Sequence, residues 1–508
     1  MAPACVALYL AVVAGLLIAI LQRDHGVFTY TLDDPYIHLA LAENLVHGHY
    51  GINPGEVSSP SSSIVWPLLL TPFAARRWNE YLPLGLNVLF CGMAAWLIGR
   101  IVDGWAGPQA WRGRFAVAAV LMLVANLAGL TFVGMEHGLQ MLLAVACAAG
   151  MVEAFAGRRI PAWCLCAAVL GPMVRYENFA LVAALAVALY GQRRVRAAAG
   201  LVGASLVVPV AFSVFLVSLG LPALPISVLV KSSVYMQEGS PLMTALGTVL
   251  LALHVGMREV AWWDLLLVAG LLLSLVLSER RRVQRCVLGG TLLAVLLQLA
   301  IGRFNWLHRY EVYAMIFAAL VAAAALRQST RLRLGFLAAG LLAPGAPYVR
   351  ALWDTPAAAS NIYQQQYQMH RFVADYYRGT VAVNDIGWVS YRRPRGLYVL
   401  DLWGLASPEA SRQTVKDGDW MDAITRAHGA GLAIIYPDWY EEGAPDDWDP
   451  LATMCFGGRA IISRRCVVFY STEAGDKALL TAEIAAFART LPAEVKMTLG
   501  RDSTDVDE

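Results

Sequence analysis

Two adjacent carboxylates, Asp33 and Asp34, follow directly on the first apolar stretch, in the segment TYTLDDPYIHLALAENLVHGHYGINPGEVSSPSSS. Adjacent acids at a lipid–water boundary are costly unless they are solvated, paired or metal-bound. Their chemistry would be a general base beside a positioning or metal-holding carboxylate. They also have a plain structural use, because an Asp ahead of a helix with Pro35 in its first turn is an N-cap. Further polar residues interrupt later apolar runs: Glu136 in GMEHG, Arg175 and Glu177 in VRYEN, Lys231 in PISVLVKSSVY, and Arg309 in GRFNWLHRYEVY. Acids and cations in this combination suit a reaction with a phosphate leaving group. The cations would hold the phosphate, and one carboxylate would take the proton of an attacking hydroxyl. A phosphate leaves without being protonated, so the scheme differs from the two-carboxylate hydrolases. Ordinary uses compete at several positions. Glu136 opens a span, where the helix dipole favours a negative charge. Arg175 and Glu177 could neutralise each other, and Trp306 and Tyr313 fit an interfacial aromatic belt.

Other clusters point to less. His38, Glu43, His47 and His49 do not fall on one helical face, which argues against zinc. Cys164 and Cys166 form C-x-C inside an apolar run and behave as small hydrophobes. Cys455 and Cys466 flank CFGGRAIISRRC, a spacing that fits a hairpin and a disulfide if that segment lies outside the cytoplasm. Asp385, Asp401 and His428 lie in the polar tail without a nucleophile–base–orienter spacing, and the two aspartates read as turn caps at strand ends.

These residues sit in a membrane-like background. The 508-residue chain is 58% hydrophobic and 15% charged, against about 25% charged for soluble chains. Residues 1–351 carry 24 Lys and Arg against 15 Asp and Glu, whereas the remainder carries 15 against 22. We therefore expect a membrane domain over 1–351 and an acidic soluble domain over 352–508. No basic patch suggests nucleic acid. Apolar segments of about 20 residues read as spans at 4–22, 80–102, 115–131, 134–156, 160–174, 176–190, 198–220, 260–278, 284–302, 308–326 and 334–350. Arg158–Arg159, Arg193–Arg196, Arg280–Arg285 and Arg327–Arg333 bound clusters that all fall on one side only if 64–75 and 241–256 do not cross. That leaves about 11 crossings, an N-terminus in the cytoplasm and a C-terminal domain outside. The segments 64–75 and 241–256 become interfacial or re-entrant helices. The first run lacks a basic n-region and reads as a retained signal-anchor.

In the tail, VAVND (381–385), LYVLDL (397–402), LAIIY (432–436) and CVVFYS (466–471) read as buried strands. Residues 361–378, 408–430 and 475–491 read as helices. The alternation predicts an α/β domain, with the last eight residues disordered.

The stretch DDPYIHLALAENLVHGHYGINPGE resembles the first outer loop of bacterial GT-C glycosyltransferases, above all an arabinofuranosyltransferase-like branch whose loop runs approximately DDAYI…A.NLA.GHG..FNPGE. GMEHGL is similar to a G-L/M-E-T-x-L pattern, VRYEN to an R-P-E element, and GRFNWLHRYEVY to G-R-F-G-W-x-x-R-Y-E. VAVNDIGWVSYRRPRGLYVLDLWGLASPE is similar to a VAVxDIG…DLxGL stretch. The resemblance covers residues 30 to 410, with the first loop (23–63) its most specific part. It departs at Pro35, where a small residue is usual, at SSPSSSIVW and at VRYEN.

The resemblance implies a polytopic α-helical membrane protein with a C-terminal α/β domain. It implies an inverting transfer on the periplasmic side of the bacterial inner membrane, from a polyprenyl-phosphate sugar (a pentofuranose such as arabinofuranose, or a hexose) to a hydroxyl of a glycan, lipid or protein. Asp33 would be the base, with Asp34 assisting or holding a divalent cation (Mg, Mn or Ca). Lys231, Arg175 and Arg309 would contact the donor phosphate. Glu136, His137 and Tyr36 would shape the acceptor or metal site. The alternative is a transporter or flippase of lipid-linked sugar. It is disfavoured because the charges gather on one side of the membrane and the mid-span residues are almost all apolar. A third reading is a polymerase or ligase acting on lipid-linked oligosaccharide, which would need a larger acceptor groove.

Overall fold

A computed structural model describes residues 1–105, 111–232, 241–326, 345–394, 397–461 and 464–500. The chain is mostly helical, with a small C-terminal sheet. Among the described residues, seven helices are long and apolar enough to cross a membrane: Ala2–Arg23, Asn79–Asp103, Trp111–Val133, His137–Phe155, Val195–Ser218, Val260–Ser278 and Arg282–Ile301. Their lipid side is visible in the exposure of large apolar residues such as Val214, Leu267 and Leu277. Ala162–Val174, Tyr176–Gly191 and Val312–Leu326 coincide with expected spans but are shorter than these seven. At 1.5 Å per residue the 13 residues of Ala162–Val174 reach about 20 Å. Most of the expected span 334–350 lies outside the described residues. From Ala346 a helix runs on to Gln364, across the expected boundary at 351/352.

Small residues let these helices approach closely, as membrane packing requires. Gly290 of Arg282–Ile301 lies so near Ala184 that a Cβ would stand 2.6 Å from the Ala184 carbonyl oxygen. Val312–Leu326 is enclosed by its neighbours over nearly its whole length. The two segments expected not to cross are helical: Val65–Leu70 continues as a 3₁₀ turn over Thr71–Phe73, and Pro241–Gly256 is one helix.

The sheet comprises β1 (Thr380–Val383), β2 (Val399–Asp401), β3 (Ala430–Ile435), β4 (Asp449–Phe456), β5 (Cys466–Ser471) and β6 (Val495–Leu499), in the order β2-β1-β3-β5-β4-β6. β2, β1 and β3 are parallel, and the other pairings are antiparallel. The four expected strands are present. β4 and β6 were not expected: β4 opens with Asp449 and Pro450, and β6 alternates Lys496 and Thr498 with apolar residues at a sheet edge. Cys455 and Cys466 face each other across β4 and β5 and form a disulfide.

Strand alternation sends successive side chains to opposite faces. Ala382, Ala433, Ile435 and Val468 pack toward Met421 and Ile424 of the helix Gly418–Ala427. Val381, Val383, Leu432, Ile434 and Phe469 belong instead to one core with Tyr36, Ile37, Leu39 and Leu41, which follow the first long apolar helix. The C-terminal sheet and the first loop thus share a hydrophobic core.

Asn53, in NPGE, seals the join. Its Nδ2 donates to the Val399 carbonyl (2.9 Å), and its Oδ1 accepts from the Val399 N–H (3.0 Å). β2 is the edge strand, so this side chain stands in for a further strand. Arg393 adds donations to Asn53 Oδ1 and the Ile52 carbonyl, each at 3.0 Å, and Tyr398 donates to Glu56 (2.8 Å). Asn53→Ala removes both bonds to buried backbone groups, at a cost of about 2 kcal/mol. It is expected to lower the thermal midpoint and expose the segment after Gln364 to limited proteolysis, checked by fluorescence melting and digestion in detergent.

Candidate active site

The helix Asp34–Leu45 places Asp33 at its N-cap position, but the Asp33 side chain makes no bond to that helix. The local reason is Pro35. An N-cap oxygen normally accepts from the second or third helical N–H. Proline supplies none at the second position, and Tyr36 N–H already donates to the Asp33 carbonyl (3.1 Å). The carboxylate is left for a distant partner. Asp33 Oδ2 accepts from Gly387 N (2.6 Å) and Oδ1 from Trp388 N (2.9 Å), the first two N–H groups of the short helix Gly387–Ser390. A Cβ at Gly387 would overlap the Asp33 carbonyl oxygen. Trp388 stacks on Tyr36 with ring centroids 3.9 Å apart. Tyr36 is therefore a platform for the C-terminal domain, and its hydroxyl accepts from Tyr30 N (3.2 Å).

Asp34 projects toward Arg309, which donates to Asp34 Oδ2 (2.6 Å) and to the Tyr310 hydroxyl (2.8 Å). Arg309 is buried, and its Nε and Nη1 have no hydrogen-bond partner among the described residues. It follows four consecutive residues in the left-handed region, Asn305 to His308 with φ from 52° to 71°. Each costs roughly 1 kcal/mol or more, and such strain persists where the surroundings enforce it.

Glu136 also occupies an N-cap position without capping its helix. It pairs instead with Arg175 (2.7 Å) and lies 3.7 Å from His38 Nε2. Arg175 further donates to both carboxylate oxygens of Glu177, at 3.2 and 2.8 Å, and to Ser62 (3.4 Å). Its guanidinium carbon stands 5.2 Å from the Tyr310 ring centroid, and that of Arg309 at 4.8 Å. Tyr310 thereby links the two ionic groups. His137 meets the same ring edge-on at 5.9 Å. Lys231 lies in the helix Ile226–Ser232, but its side chain is outside the described part of the structure.

Against this network lies a cavity of about 680 Å³. One end is polar, with Ser62, Arg175, Glu177, Arg303 and Tyr310. The wall beyond is apolar, with Phe179, Leu251, Val255, Leu297 and Ile301. Arg303 is a further cation at this end. Reasoning from the sequence placed it in GRFNWLHRYEVY without assigning it a role.

The expected cation site at Asp34 is not supported by the donors present. The Asp34 carboxylate is engaged by Arg309, and among the described residues no group of three or more His, Cys, Asp and Glu side chains is arranged to hold a metal. The histidines of the first loop also diverge: His38 turns to Glu136, while His49 Nε2 contacts the carbonyls of Asn53 and Glu56.

Asp385, in VAVNDIGW, comes to the site from the C-terminal domain. Its Oδ2 accepts from Gln366 Nε2 (2.9 Å) and the Tyr436 hydroxyl (3.1 Å). Asp401, by contrast, is the expected turn cap, accepting from the N–H groups of Trp403, Gly404 and Ala406. Burial pushes the Asp33 carboxyl well above the usual carboxylate range, and the charges of Asp385 and Asp34 push it further. The Trp388 and Gly387 N–H groups pull against them. Burial likewise raises Asp385, to about 6. The segment carrying Gly387, Trp388 and Asp385 was legible as a motif, but nothing near it in sequence pointed to Asp33.

Residues 360–470 match a family model described as a domain of unknown function, DUF8728. The match includes Gly387 and Trp388, which hold Asp33, and also Asp385. No curated protein and no solved structure matches the chain.

The close approach at Gly387 makes a specific demand. Gly387→Ala forces the short helix off the Asp33 backbone and breaks both N–H bonds to the carboxylate. It is expected to leave the membrane helices intact by circular dichroism while proteolytic protection of the C-terminal domain falls as it does in Asn53→Ala.

Proposed function

We propose that this chain is a membrane glycosyltransferase of GT-C architecture that moves a sugar from a polyprenyl-phosphate donor to a hydroxyl acceptor, with inversion. The observation that carries the reading is a carboxylate of raised proton affinity, Asp33, whose neighbour Asp34 is joined through Arg309 and Tyr310 to a cavity that holds Arg175 and Arg303 among its polar residues and has a long apolar wall. A lipid-linked sugar phosphate has the same polarity. Its isoprenoid would lie along Leu251, Val255, Leu297 and Ile301, with the phosphate at Arg303 and Arg175. Arg309, behind Tyr310, holds that residue at the cavity wall rather than facing the cavity itself. Asp33 spends one lone pair of each oxygen on Gly387 and Trp388, which leaves a lone pair on each.

In the transfer, the acceptor oxygen attacks the anomeric carbon as the bond from that carbon to the phosphate oxygen breaks. The phosphate leaves with the bonding pair, and Asp33 takes the acceptor proton. The base must be ionised, so the rate rises with pH through the Asp33 ionisation. Asp34 and Arg309 hold Tyr310 between the base and the cavity.

The same reading sets the protein in the bacterial inner membrane with about 11 crossings, the shorter helices Ala162–Val174, Tyr176–Gly191 and Val312–Leu326 among them. Clustering of Arg158–Arg159, Arg193–Arg196 and Arg280–Arg285 supports a cytoplasmic N-terminus. The Cys455–Cys466 disulfide supports a periplasmic C-terminal domain.

The test is transfer by purified protein in nanodiscs, supplied with polyprenyl-phosphate arabinofuranose or with polyprenyl-phosphate hexoses. Wild type is expected to release polyprenyl phosphate from one of them, and Asp33→Asn to lose about a hundredfold or more. The Asn amide also sets an NH₂ against a backbone N–H of 387 or 388, so proteolytic protection is measured in parallel to separate a lost base from a lost junction. Full transfer by Asp33→Asn overturns the assignment of the base. Binding of every donor without turnover favours the transporter. A companion variant, Arg303→Ala, is expected to raise the KM for donor several-fold with little change in kcat.

A further inference from the structure

We propose that Asp385 of the C-terminal domain is a positioning residue for the transfer, a second carboxylate that sets the proton affinity of Asp33. The inference rests on Asp33 being the base. It deepens that reading by making the C-terminal domain a functional half of the site.

The argument starts from placement. Asp385 stands two residues before Gly387, on the turn between β1 and the helix whose N–H groups hold Asp33. One turn of chain therefore carries both the donors that grip the base and, two residues before the first of them, a second carboxylate. Both acids are only partly exposed. The charged groups around the pair divide unevenly. Asp34, on the first-loop helix, is neutralised by Arg309 at 2.6 Å. Asp401, behind Asp385, is satisfied by the N–H groups of its own turn. Asp385 is held by Gln366 and Tyr436, both neutral. Gln366 in turn donates to the Tyr436 hydroxyl (3.0 Å), and Tyr436 to Gln365 (2.6 Å), so among the described residues the cradle is fixed without a cation.

Two carboxylates sharing a low-dielectric site without a counter-ion cannot both ionise easily. The protons come off as those of a pair, not of either residue alone. The raised proton affinity of Asp33, to which burial contributes first and the charge of Asp385 next, agrees with this. A base kept near the working pH takes a proton more effectively than an ordinary carboxylate. The arrangement also ties basicity to assembly: if the C-terminal domain withdraws, Asp33 loses its neighbour and its grip together.

The experiment is the pH profile of kcat/KM for transfer by full-length protein in nanodiscs, with wild type, Asp385→Asn and Asp385→Glu. Whatever its absolute rate, Asp385→Asn is expected to move the acidic limb toward lower pH, because a charge that held the proton on Asp33 is gone. Activity at mildly acidic pH, relative to its own maximum, rises several-fold. Asp385→Glu is expected to bring the limb back toward the wild-type position. An unmoved limb in Asp385→Asn with a protease-protected junction overturns the proposal. If Asp385→Asn loses protection, the comparison passes to Asp385→Glu against Asp385→Gln. These share a shape and differ in charge, and identical limbs overturn the proposal. The two readings fail separately: transfer by Asp33→Asn sinks the base assignment, whereas an inactive Asp33→Asn with no limb shift at Asp385 sinks only this inference.

Discussion

Two hydrogen bonds, from Gly387 and Trp388 N–H to the Asp33 carboxylate, join parts of the chain 354 and 355 residues apart. Much else follows from them. The first loop can hold an acid at the membrane edge because backbone donors from the other domain stabilise its charge. The glycine is required because the short helix approaches the Asp33 backbone itself. Tyr36 and Trp388 stack because the same approach brings their rings together. The shared core of the sheet and the first loop, together with Asn53 on the β2 edge, supplies the apolar burial that keeps two polar bonds in register.

Beneath that join the polar groups occur as compensated sets. Glu136, Arg175 and Glu177 form one, and Asp34 with Arg309 another, and both meet at Tyr310. Buried charges persist only when paired and hydrogen-bonded, and removing one partner of such a pair is costly. Arg175 and Arg309, two of the three cations expected to contact a phosphate, therefore already hold acids in place. Arg303 and Arg175, which line the cavity, are the cations that the proposed donor phosphate would meet there.

The membrane half was readable from the sequence because lipid imposes long apolar runs, and the seven long helices follow those runs. Four strands were readable because burial on both faces makes them continuously apolar. β4 and β6 were not, since a proline, an aspartate and alternating polar side chains are the marks of edges and turns. The acids of the site could be picked out as chemistry, because Asp33, Asp34 and Glu136 stand at the ends of apolar runs. Their partners could not. An N-cap position predicts a bond to its own helix, and only the loss of a donor at Pro35 together with a contact across the chain redirects Asp33 to Gly387. Asp385 looked like Asp401, an acid at a strand end. The difference lies in the turns: the one after Asp401 folds back on its own carboxylate, and the one after Asp385 offers its N–H groups to Asp33.

The most direct test of a site built from both halves is an electron cryomicroscopy map of the protein in a nanodisc with a non-hydrolysable polyprenyl-phosphonate sugar. The sugar is predicted to lie under the Asp33–Gly387 join, with the phosphonate at Arg303 and Arg175 and the isoprenoid along the apolar wall. A lipid bound elsewhere among the helices, with the C-terminal domain still docked and the cavity beside Tyr310 vacant, would contradict the account.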